Sequence, residues 1–260
     1  MRPERIVLVA GGREGVGTSV AASLLALVCA GEGSRVLLVD GNTGLHSLFG
    51  FHPLTGLDAL ADSNVAVSDV LVAITEQLSF APGTRTVQDM APAMEDGRHT
   101  PFERLFAEPD FDVVIVDAGA RLENVLAATQ SGIGSAVIVS DTDRTSLAAS
   151  YALLKVLAQH APTVRCHVLV NRHDEATARA ASGQLSNASV RFLERDLSSS
   201  GSLPDDACLR AALGAGMPIG DAAEGSPAAR AMLSFAERVL PSVAGRMPAT
   251  AGSHLNENWS

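Results

Sequence analysis

Val9-Ala-Gly-Gly-Arg-Glu-Gly-Val-Gly-Thr-Ser19 is the stretch whose reading decides the fold. It follows a short apolar run, Ile6-Val-Leu-Val-Ala10, and leads into an Ala/Leu-rich segment with helical spacing, Ser19 to Ala30. A strand, a glycine loop and a helix in that order make an anion site. The orphan N–H groups and the positive end of the helix dipole point into the loop, and glycines let the backbone curl there. Two phosphate-binding patterns can be set against it. A dinucleotide fingerprint needs glycines at relative positions one, three and six. No frame supplies all three; starting from Gly15, the sixth position is Val20. A P-loop needs Gly, four residues, Gly, then Lys and Ser/Thr. Gly12 and Gly17 have that spacing and Ser19 supplies the hydroxyl, but Thr18 stands where the lysine belongs. A plain glycine-rich turn is the third reading that the loop alone leaves open.

Beyond the loop, further short apolar runs read as buried strands: Arg35–Val39, Leu78–Ala81, Val113–Val116, Ala136–Val139 and His167–Val170. They lack polar/apolar alternation, which suits a parallel sheet covered on both sides. Helical spacing recurs between them. Thr145 to Gln159 carries Leu147, Tyr151, Leu154 and Leu157 on one face, and His173-Asp174-Glu175 starts another helix. Ser226-Pro227 caps a late helix whose apolar face is Met232, Phe235, Val239 and Leu240, with Pro241 as its stop. Alternation of this kind predicts an α/β fold, a doubly wound, mostly parallel sheet with helices on both faces. One domain over residues 1–244 and a disordered tail over 245–260 follow.

The 260 residues carry 19 basic and 29 acidic groups, a net charge of −10. Such a field repels nucleic acid and anionic lipid unless the basic groups cluster, and no Lys/Arg block is present. Lys155 is the only lysine. Cys29, Cys166 and Cys208 are far apart, form no metal spacing and read as reduced core residues. The histidines likewise form no ligand set. Without a signal peptide or an apolar run of membrane length, a cytoplasmic setting is expected.

Several segments, in order along residues 5–240, resemble the deviant P-loop ATPases of the MinD/ParA group, and most nearly its flagellar number regulators of the FlhG/FleN type. Gly11 to Ser19 is similar to the family's phosphate loop. Val36-Leu-Leu-Val-Asp-Gly-Asn-Thr-Gly-Leu45, continued by Phe49-Gly-Phe-His-Pro53, resembles its second strand and exit. Phe111-Asp-Val-Val-Ile-Val-Asp-Ala-Gly-Ala120 resembles its Walker B strand and switch. Val168-Leu-Val-Asn-Arg172 is similar to the strand whose Asn contacts adenine, and Ser226-Pro-Ala-Ala-Arg230 to a late helix start of the flagellar branch.

The resemblance implies a P-loop NTPase-like fold and a nucleotide site made of Gly12, Arg13, Gly15, Val16, Gly17, Thr18, Ser19 and Asn171. Ser19, Asp40 and Asp117 would hold Mg²⁺ if nucleotide binds. It also shows what has changed. Arg13 replaces the lysine that crosses an ATP-bridged dimer, and Glu14 replaces a glycine. Thr18 replaces the lysine of the β- and γ-phosphates, and Asn42 replaces the acid that orients the attacking water. A carboxylate about 5 Å from a phosphate charge costs roughly 3 kcal/mol at an effective dielectric near 20. Loss of a phosphate-binding lysine removes a term of similar size. No confident catalytic residue remains, and binding of ATP or ADP with Mg²⁺ is expected to be weak or lost. Two readings stand: a pseudo-ATPase that regulates a surface apparatus, flagellar by resemblance, through protein contacts, and a slow but genuine dimerising ATPase switch. A dinucleotide-dependent enzyme is the third, with Asp40 as its ribose acid, and the broken glycine spacing opposes it.

Protein partners of a flagellar or polar assembly and a homodimer are consistent with the resemblance; a nucleic-acid partner is not expected. The late helix mixes Arg230, Glu237 and Arg238 on its polar face, so membrane association is expected to be weak or absent. Only Met1 to Glu4 precede the first strand, which puts the GTPase-stimulating segment of flagellar relatives in doubt.

Overall fold

The computed structural model describes residues 3–83, 101–130 and 132–240; the expected tail over 245–260 lies outside them. Strands β1 (Ile6–Gly11), β2 (Val36–Asp40), β3 (Val72–Ala73), β4 (Leu78–Ala81), β5 (Val113–Gly119), β6 (Ser135–Ser140), β7 (Arg165–Asn171) and β8 (Ser199–Leu203) form one sheet in the order β3-β4-β2-β5-β1-β6-β7-β8. Every pairing is parallel except β3 with β4. The six apolar runs all became strands. β1, β2 and β6 are buried throughout because both sheet faces are covered.

The helices are α1 (Thr18–Gly31), α2 (Leu45–Leu48), α3 (Pro101–Ala107), α4 (Leu122–Gln130), α5 (Arg144–His160), α6 (Glu175–Leu193), α7 (Ala207–Gly214), α8 (Ile219–Ala222) and α9 (Pro227–Val239). One face of the sheet packs α1 and α9, with Leu24, Leu25, Met232 and Phe235 against Val137, Leu169 and Leu203. The other packs α3, α4 and α5 around Phe102, Phe106, Val125 and Leu154. Ser226 accepts a hydrogen bond from the Ala229 amide with Pro227 inside the first turn, as its sequence pattern predicts. Asp174 caps α6 through the Thr177 amide.

Three details differ from expectation. β3 and β8 were not anticipated: β3 is two residues long, and β8 reads Ser-Ser-Gly-Ser-Leu, without the β-branched content that marks a strand. α1 begins at Thr18, one residue before the predicted start. Cys29 and Cys166 are buried as expected, but Cys208 is exposed. Its apolar neighbours Ala207 and Leu209 misled, because α7 turns only Leu209 to the core. No helix among the described residues is long and apolar enough to cross a membrane.

Candidate functional site

The carboxyl ends of β1, β2, β5 and β7 converge where a doubly wound sheet binds its ligands. Parallel pairing sets Asp40 of β2 directly beside Asp117 of β5. The register of β1 on β5 slips after Val9, so that Ala10 pairs with Gly119; the glycine loop, residues 12–17, follows β1 directly and leads into α1.

The loop is a left-handed curl with little spare room. Gly15 (φ 79°) and Gly17 (φ 92°) occupy the region that favours glycine. Val16 is buried. The Asn171 amide, at the end of β7, donates to the Val16 carbonyl at 2.8 Å, and a Cβ on Gly17 would meet its nitrogen at 2.2 Å. Arg172 donates to the Gly15 carbonyl at 3.2 Å. On the other side, a Cβ on Gly12 would lie 2.5 Å from the Ser150 amide nitrogen of α5. The loop is therefore held between β7 and α5. α1 opens at Gly17 with no side-chain cap and no acid in its first turn, which leaves its first donors turned into the loop.

The positive charge expected there points elsewhere. The Arg13 guanidinium donates to Asp143 at 2.9 Å and to the Ser146 hydroxyl, and lies 3.8 Å from Asp141. Arg172 pairs with Asp141 at 3.2 Å, and His173 meets the other Asp141 oxygen at 2.7 Å. Hydrogen bonds from the Ser146 hydroxyl and amide, then from Arg13, hold the Asp143 carboxyl far below its ordinary value. Burial pushes Asp141 up, but bonds from His173 and the Thr142 amide, with Arg172 close by, bring it below its usual range. Sequence reading missed Asp141, Asp143 and Ser146. The signal that could have found two of them was Asp141-Thr-Asp143 at a strand exit ahead of a helix, a helix-cap pattern.

Thr18 is buried, and its hydroxyl stands 2.4 Å from where a Gly11 Cβ would be. It turns back against the start of the loop instead of reaching over it. Ser19 is not a helix cap; its hydroxyl donates to Asp117 at 2.6 Å. Asp40 accepts from the amides of Asn42, Gly44 and Leu45. Both acids are fully buried. Burial pushes Asp40 up to about 6 against those backbone bonds. Burial also pushes Asp117 up to about 6, helped by the charge of Asp40 and opposed by bonds from Ser19 and the Gly119 amide. The Asn42 amide lies over Gly119, 2.2–2.4 Å from where a Cβ would project.

Ser19, Asp40 and Asp117 are thus brought together beside the loop, and Asn171 reaches the Val16 carbonyl, while Arg13 faces Asp143 and Thr18 turns toward Gly11. A hydroxyl and two adjoining carboxylates suit a hard cation such as Mg²⁺, and two buried acids with raised proton affinity are poised for one. The phosphate half fits poorly: Thr18 is neutral, Arg13 is committed to Asp143, and Glu14 stands on the loop. Among the described residues no group of three or more His, Cys, Asp or Glu could hold a metal unaided.

Comparison with known proteins bears on the family and the fold. A family model described as cellulose biosynthesis protein BcsQ matches residues 4–240. The antiactivator FleN of Pseudomonas aeruginosa is 27% identical over 262 residues, covering 98% of this chain and 92% of that protein. Among solved structures, the septum site-determining protein MinD of Pyrococcus horikoshii, complexed with Mg-ADP, superposes with a TM-score of 0.71 at 20% identity, covering 94% of this chain and 98% of the other. The MinC:MinD cell division complex of Aquifex aeolicus gives 0.70 at 20% identity, over 91% and 96%. At such identities the structural likeness speaks to the fold.

Proposed function

This chain belongs to the BcsQ family of MinD/ParA-like proteins, and from that premise we propose that it is a regulatory protein acting through protein contacts, with ATP binding and hydrolysis weakened or lost. The observation that carries the reading is the pairing of Arg13 with Asp143 and Ser146 beside a loop in which Thr18 replaces lysine. Phosphoryl transfer depends on positioning and on positive charge at the phosphates, and neither side chain supplies it. The apparatus controlled is flagellar by resemblance to the FlhG/FleN branch; the name antiactivator, carried by FleN, fits a protein that works by holding another protein in check.

Calorimetric titration tests this. Mg-ATP is expected to give no saturation at micromolar concentration, while Glu14→Gly/Thr18→Lys/Asn42→Asp recovers binding and phosphate release. Tight binding with turnover by the native chain would refute the reading.

A second reading, a slow ATPase switch, rests on the intact Ser19–Asp117 contact beside Asp40. The side chains of Arg13 and Asp143 are both partly exposed to solvent, so their ion pair is screened and adds little to what holds Arg13 outward. Steady-state phosphate release abolished by Asp117→Ala would favour it.

A further inference from the structure

The two edges of the sheet are treated differently. One ends on β3, only two residues long and antiparallel; a very short edge strand is a common protection against unwanted pairing. The other ends on β8, five residues paired along its length with β7. Its sequence, Ser199-Ser-Gly-Ser-Leu203, contains no charge and no proline, the other usual guards of an edge. Its outer backbone groups have no neighbouring strand among the described residues.

β8 lies at the floor of a groove. α6 covers one face of the sheet here, through Ala178, Ala181 and Leu185 against Val168 and Val170. α9 covers the opposite face, through Met232 and Phe235. Between the two helices a cavity of about 410 Å³ opens along residues 200–202. Its walls are small side chains, Ala178 and Ser182 from α6, Ala231 and Ser234 from α9. Gly201 belongs to this design: a Cβ there would meet the Phe235 ring at 2.5 Å, so its absence lets α9 close on the strand. Arg179 and Arg238 stand in the same lining. Arg179 is paired with Glu175. Arg238 has no carboxylate within ion-pair distance among the described residues and stacks on Phe235 instead, 5.7 Å from the ring centre. On a chain of net charge −10, an uncompensated arginine beside an unguarded strand edge is a local exception.

We propose that this groove binds an extended acidic segment of a partner protein, which adds to β8 as a ninth strand with a carboxylate meeting Arg238. Five residues of strand span about 16 Å, enough for main-chain hydrogen bonds to supply affinity while the small walls admit alternate side chains. The surface lies at the far edge of the sheet from β3 and uses no residue of the glycine loop.

The test uses the full chain and a phage-displayed library of random dodecapeptides, with Ser234→Trp as counter-selection. Ser234 and Arg238 are exposed, so variants there leave the core intact, which equal melting temperatures would verify. Selection is expected to enrich acidic sequences whose binding falls at least tenfold in Arg238→Glu and is lost in Ser234→Trp. N-methylation of alternate peptide amides should also abolish it, which a purely ionic contact would not show. Failure to enrich any sequence over the counter-selected variant, enrichment of basic sequences, or indifference to N-methylation would overturn the proposal. So would a concentration-dependent dimer dissolved by Ser234→Trp, because the groove would then belong to a second copy of this chain.

Discussion

Among single residues, the loop glycines separate two kinds of constraint. Gly12 abuts the backbone of α5, so Gly12→Ala forces a helix to move and should cost about 1–3 kcal/mol in urea unfolding, as overpacking does. Gly15 has open space around it but φ at 79°; Gly15→Ala should cost about 1–2 kcal/mol through backbone strain alone. Asp117 makes a prediction of opposite sign. Its folded pKa of about 6 exceeds the ordinary 3.8, so between pH 4 and 6 the unfolded chain holds fewer protons on this group than the folded one. This group's contribution is therefore full below about pH 4 and is lost as pH rises to about 6. Asp117→Asn should flatten that fall and, above pH 6, raise stability by on the order of 1–3 kcal/mol; melting curves at pH 4, 6 and 8 would check it. The departure at Thr18 was legible in the sequence because it breaks the P-loop spacing; those at Glu14 and Asn42 were legible only through the family resemblance. The direction of Arg13 was not, since it depends on acids 128 and 130 positions away that only the sheet order brings near.

For whole elements, legibility followed burial. Strands apolar on both faces announce themselves by continuous runs, and α9 by its cap and its stripe. β8 did neither, because a serine-rich strand at an edge is held by its neighbour and by Phe235 rather than by its own preference. Removal of the α9 cap with Ser226→Ala should cost about 1 kcal/mol. Phe235→Ala, at a fully buried position, should cost about 3–5 kcal/mol and loosen β8 with it. Hydrogen exchange of the β8 amides, faster in the second variant than in the first, would separate the two effects.

At the level of the whole molecule, the standing of the nucleotide site becomes a question of linkage. A ligand at a thousandfold excess over its Kd raises folding stability by about 4 kcal/mol, and one at a concentration equal to its Kd by about 0.4 kcal/mol. One millimolar Mg-ATP should therefore leave the melting temperature of the native chain almost unchanged, and should raise that of the loop-restored variant by several degrees. The cysteines give the molecule one more property. Cys29 and Cys166 are sealed in the core, their thiols pushed up to about 12 and about 11 by burial, while Cys208 is open to solvent at the start of α7. A maleimide dye should consequently attach once per chain, at Cys208 alone, as intact mass would verify. The native sequence thus comes with a single optical handle, and energy transfer between donor- and acceptor-tagged copies would count how many chains travel together without any engineered mutation.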